Sequence, residues 1–122
     1  MKPIRITHTT TWGGIFPNVR LDFCFYGNGR PAIRLMQDDP SECIAIATVN
    51  LPGRDIPDTQ IAVKDYSENE GMVDTLRKAG VIHDEPVLHY TSGHVLIPIF
   101  DLTPVGVAHV EAARRRYQEE SA

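Results

Sequence analysis

Asp65, Glu68 and Glu70 fall within six consecutive residues, interleaved with Tyr66, Ser67 and Asn69. Oxygen donors at that density bring three chemistries to mind. The first is a calcium loop, since Asp65-x-Ser67-x-Asn69 matches its opening ligands. The glycine needed at the sixth position falls at the seventh, Gly71, and Leu76 stands where a bidentate glutamate belongs, so the match fails. The second is a carboxylate pair for acid–base work, but no partner nucleophile lies nearby in the sequence. The third is a surface for another protein, with Tyr66 as an aromatic anchor among negative charges.

A helix start accounts for the same residues at lower cost. Ser67 and Glu70 have the spacing of a capping box, in which the serine oxygen accepts from the Glu70 N–H and the glutamate reaches back. Glu68 and Glu70 would lie in the first turn, where anions suit the helix dipole. Met72, Val73, Leu76 and Ala79 supply an apolar face, and Gly80 stands where a left-handed cap is wanted. Gly71 fits this pattern poorly, and its presence suggests close approach by another backbone.

The other reactive side chains form no stronger pattern. The five histidines, His8, His83, His89, His94 and His109, have no helical H-x3-H pair, and there is no C-x2-C knuckle. His89 and His94 flank Ser92-Gly93 and could meet across a hairpin; with Asp65 they form the basis of an alternative small enzyme or small-molecule binder. Cys24 and Cys43 lie in apolar, strand-like runs, where a thiol behaves as a small buried hydrophobe. Gly27-Asn28-Gly29-Arg30-Pro31 lacks the Lys-Ser/Thr of a phosphate loop and reads as a turn.

The elements that must position these groups are mostly strands. Residues 4–11 alternate loosely, then Trp12-Gly13-Gly14 interrupts. Val19, Leu21, Phe23 and Phe25 alternate with Arg20, Asp22 and Cys24, and Asn28-Gly29 turns the chain into a returning strand at 32–36. After the acidic turn around Asp38 and Asp39, "CIAIATV" at 43–49 is apolar enough for a central strand. Residues 60–64 resume extended structure, and 87–90 with 95–100 form a hairpin, its second arm placed at an edge or bulged because of Pro98. Helices are expected from Ser67 to Ala79 and from Thr103 to Ala122. In the latter Thr103 is the N-cap, Pro104 opens the first turn, and Val105, Ala108, Ala112 and Tyr117 form the apolar stripe with Val110 nearby. The fold class is α+β: a mainly antiparallel sheet of about five or six strands with two helices packed on one face.

The chain has 122 residues, 42% apolar and 23% charged, which suits one globular domain. A net charge of −4 argues against a general nucleic-acid surface. The basic run Arg114-Arg115-Arg116 is followed by Glu119 and Glu120, as on a solvated helix face. With no signal-peptide pattern and no apolar run of membrane length, the expected location is cytoplasmic, with no membrane partner.

"KDYSENEGM", with "YGNGRPAIRL" and "ATVNLPG" upstream, resembles a family of small proteins of bacterial plasmids, phages and integrative elements. The similarity runs from about Val19 to Phe100, and the resemblance implies no established enzymatic activity. Such elements carry proteins that block host defence, anti-CRISPR proteins among them, and that company suggests the role. The leading expectation is a non-enzymatic factor that binds a host or element-encoded protein through Asp65, Tyr66, Glu68 and Glu70, helped by Asp38 and Asp39. No cofactor, metal or catalytic residue is expected, and a homodimer is a further possibility.

Overall fold

The computed structural model describes residues 1–121; Ala122, the last residue of the expected C-terminal helix, lies outside them. Seven strands form two antiparallel sheets. The first has the order β1-β2-β3-β4, from Arg5–Thr9, Ile15–Phe25, Pro31–Asp38 and Ser41–Ile46. The second has the order β5-β7-β6, from Gln60–Ala62, Val95–Asp101 and Leu88–Ser92. The fold is therefore α+β, with seven strands split between two sheets where about five or six in one were expected. No helix of the described residues is long and apolar enough to cross a membrane.

The alternation of β2 decides which face is inside. Val19, Leu21 and Phe23 are buried and sit opposite residues of β3 that include Leu35 and Ile33. Arg20, Asp22 and Cys24 point the other way, where Asp22 pairs with Arg34. The inner face is covered by α1 (Met72–Lys78) and α2 (Pro104–Ser121). Met72, Val73 and Leu76 from α1, with Val110 and Ala113 from α2, complete the main core. Each of these side chains larger than alanine contributes about 1.5–3 kcal/mol by leaving water.

Beyond β4 the chain links the two sheets. Thr48 bridges Val63, the Val49 N–H donates to the Ala62 carbonyl, and the Lys64 N–H donates to that of Ala47. This explains the apolar run at 43–49 differently from expectation. Its first half is an edge strand with Cys43 exposed, and only Ala47 and Thr48, held between the sheets, are buried. Pro98 likewise lies in a central strand, not at an edge. It is tolerated because its nitrogen points away from β6, toward Val63 just past the end of β5, where the pairing needs only its carbonyl, which accepts the Val63 N–H at 3.1 Å.

The C-terminal helix starts as its sequence dictates: the Gly106 N–H donates to Thr103 Oγ1 at 3.1 Å. Its buried face is Gly106, Val110 and Ala113, with Val105 and Tyr117 exposed, so the expected stripe is rotated. Gly106 sets that rotation. A Cβ there would stand 2.5 Å from the Val81 carbonyl oxygen, so only glycine allows the helix to approach so closely.

The first helix departs more from expectation. Residues Ser67–Asn69 form a 3-10 turn, and α1 begins only at Met72 after Gly71, whose φ is 108°. No capping box forms between Ser67 and Glu70. The acceptor is Asp65, whose Oδ1 receives the N–H groups of Gly71 at 2.7 Å and Met72 at 3.1 Å. Gly71 also permits the approach that its position suggested, since a Cβ would lie 2.6 Å from the Thr9 carbonyl oxygen. Gly71→Ala is expected to lower the unfolding free energy by roughly 2–3 kcal/mol, combining left-handed strain with that clash. A urea midpoint equal to wild type would show that β1 gives way at no cost.

His8 sits beneath this contact, 1% exposed, with Nδ1 at 2.7 Å from Thr75 Oγ1 and its ring stacked on Phe16. Burial holds its pKa below the ordinary 6.5, against a smaller opposing pull from the Asp65 charge. The unfolded chain therefore takes the proton first. The His8 contribution to stability is complete above pH 6.5 and is lost as pH falls below it. The urea midpoint should be lower at acid than at neutral pH, and His8→Gln should shrink that difference. His109, also held low by burial, supplies a remainder of the same sign.

Candidate functional site

The segment 65–71 wedges between opposite edges of the first sheet. On one side the Thr11 N–H donates to the Glu70 carbonyl, and Trp12 Nε1 donates to the Ser67 carbonyl, both at 2.9 Å. On the other, buried Asn69 donates from Nδ2 to the Ile46 carbonyl at 2.7 Å. The β1–β2 tip and the end of β4 are thus held together through this turn. The sheet must curl for that to happen, as its right-handed twist allows.

The acidic residues have unequal roles in this arrangement. Asp65 is committed to the cap of α1. Glu68 is exposed and pairs with Lys64 at 2.6 Å; that hydrogen bond lowers the Glu68 pKa and raises the Lys64 pKa. Tyr66 is half-buried against the smaller core around Ile56, Ala62, Ile97 and Ile99, with Lys64 Nζ 5.5 Å from its ring centre. Glu70 and Asp74 face an open depression of about 480 Å³. Val73 and Phe100 lie beneath it, and Arg77 and His89 stand at its margin. Asp74 Oδ1 accepts from Arg77 Nη1 at 3.3 Å, while Arg77 Nε is buried with no hydrogen-bond partner among the described residues.

Asp38 and Asp39 lie elsewhere. Asp38 accepts from Arg5 at 2.6 Å and Arg20 at 3.2 Å, and its pKa is lowered, most by Arg5 and then by Arg20. Arg5 begins β1 and Thr9 ends it, so roughly 13 Å of strand separates this cluster from the wedge. The two acidic stretches do not form one patch. His94 is also apart: it occupies the exposed turn after Ser92, while His89 lies opposite Pro98 further down the hairpin. Of the residues for a scattered enzyme site, only Asp65 and His89 share a depression. No group of three or more His, Cys, Asp or Glu that could hold a metal ion occurs among the described residues.

Trp12 is the residue that sequence reasoning left without a role. Its indole is 68% exposed even though its nitrogen is pinned to Ser67. With Phe16, Ile44 and Ala45 it lines a second, largely apolar depression of about 410 Å³, bordered by Glu68 and Asn69. Ile15, at the start of β2, is 66% exposed. The available signal was its setting, since a tryptophan inside Thr-Thr-Trp-Gly-Gly belongs to a turn and has no core-facing alternation to join.

If Asp65 is chiefly a cap, Asp65→Ala should cost about 1–2 kcal/mol in chemical denaturation. Glu68→Gln should leave the denaturation midpoint close to that of wild type, as for an exposed pair. Equal losses would remove the distinction between them. Compared with protein-family models, with curated proteins and with solved structures, the chain matched none.

Proposed function

We propose that this chain is a protein-binding factor without catalytic activity, acting through the surface around the 65–71 wedge. The observation that carries the reading is Trp12: a large aromatic side chain held in one orientation by a hydrogen bond, yet two-thirds in water. Tryptophan is prominent among residues that dominate binding energy, and this one stands at the rim of an apolar depression. The apolar depression beside it supplies the contact area, and Glu68 and Glu70 supply negative charge that steers the encounter. Asp65 and Tyr66 support this surface from beneath, and Asp38 and Asp39 belong to another part of the molecule.

The resemblance of 64–72 and the two upstream stretches to proteins of mobile elements narrows the proposal. The partner is then a protein of the host or of the element, with host-defence machinery as the leading class and inhibition as the consequence. The test is affinity purification from the native host with mass spectrometry, using wild type, Trp12→Ala and a Glu68→Lys/Glu70→Lys pair. Both variants should keep the wild-type circular dichroism spectrum. Trp12→Ala should reduce specific capture by roughly thirtyfold, the size of a 2 kcal/mol hot spot. Undiminished capture by both folded variants would rule out this surface.

A further inference from the structure

The strand β6 is the free edge of the second sheet. Its five residues, LHYTS, contain no lysine, proline or bulge, the usual guards against edge pairing. Ser92 and Val95 close a two-residue turn, so the hydrogen-bonded pairs with β7 are those of Ser92, Tyr90 and Leu88. Pro98, which has no N–H to give, fits the intervening non-bonded position opposite His89. The backbone groups that point outward are therefore those of His89 and Thr91, and both residues are exposed.

The same register sends the His89 side chain to the sheet face that carries Pro98 and Phe100, where it borders the 480 Å³ depression. That depression has three carboxylates, Asp65, Glu70 and Asp74, against one guanidinium, Arg77. Asp84 and Glu85, both exposed, lie just ahead of the strand. A strand laid along β6 would direct alternate side chains toward this negative field.

We infer that β6 is a strand-addition site for an extended, basic segment of a partner protein. The His89 and Thr91 backbone groups supply the pairing, and the depression receives a lysine or arginine from the added strand. This rests on the reading of the chain as a protein-binding factor and adds the form in which a partner segment is captured.

The probe is a short blocked peptide alternating lysine with valine and threonine, compared with a counterpart bearing glutamate in place of lysine. In ¹⁵N spectra the lysine peptide should shift the His89 and Thr91 amides and slow their hydrogen exchange. The glutamate peptide should bind about tenfold more weakly or worse. Thr91→Pro should abolish lysine-peptide binding and keep the fold, because proline is tolerated where an edge N–H faces solvent. Unmoved amides, equal binding of the two peptides, or unaltered binding by Thr91→Pro would overturn the inference. So would a concentration-dependent doubling of mass that Thr91→Pro removes, since the occupant would then be a second copy of the chain. Trp12→Ala separates this inference from the wider reading. Native capture lost in Trp12→Ala without any peptide response defeats strand addition alone. A peptide response with native capture unchanged in both Trp12→Ala and the Glu68→Lys/Glu70→Lys pair defeats the wedge surface alone.

Discussion

The first sheet is held in shape by a short piece of backbone that belongs to no strand. Residues 67–71 receive hydrogen bonds from the β1–β2 tip and give one to the end of β4 through Asn69. Of these groups Asn69 is the buried one, and leaving its amide unpaired would cost about 1–3 kcal/mol, whereas the Trp12–Ser67 bond lies at the surface. Together the bonds join both edges of the sheet through one turn. Gly71 is the condition for this closure, since any side chain would collide with β1. Asp65 then directs the chain from the wedge into the helix. The surroundings of His8, the position of Trp12 and the shape of both depressions depend on this one closure.

The closure also sorts the acidic residues. A carboxylate that accepts two backbone N–H groups contributes to folding and presents little of itself to a partner. One paired with a neighbouring lysine in water contributes little to stability and remains available. Glu70 differs again: its backbone is fixed by Thr11 while its side chain faces the depression. Negative charge at this surface is therefore a property of particular side chains, not of the whole acidic run. The turn at Asp38 is stitched to Arg5 and Arg20 and behaves as part of the sheet.

A second consequence concerns the smaller sheet. Its three strands are covered on one side by Ile56 and the loop around it, and only partly by α1 on the other. Because β7 takes the central place, β6 is left at the edge. The hairpin register then determines which backbone groups remain open. Apolar side chains at Val87, Leu88 and Leu96 stay in water around this hairpin. The hairpin thus keeps an unpaired strand edge, and it joins the wedge through the shared depression.

Much of the local structure was legible in the residues. Alternation in β2, the Asn28-Gly29 turn and the Thr103-Pro104 helix start are decided by neighbours a few positions apart, so sequence spacing reveals them. The oddity of Gly71 was legible too, though not the strand that crowds it. Tertiary structure decided whatever depends on distant partners. Asp65 replaced Ser67 as the cap because Gly71 had to take a left-handed conformation against β1. Pro98 entered a central strand because it sits at the end of the β5 pairing, where Val63 uses only its carbonyl, and α2 rotated to bring Gly106 onto Val81. Trp12 stayed exposed where its turn was pinned to residues more than fifty positions away. Local propensity governs which elements form, but burial and hydrogen bonding between distant segments determine which side chains face water, and those are the ones available for function.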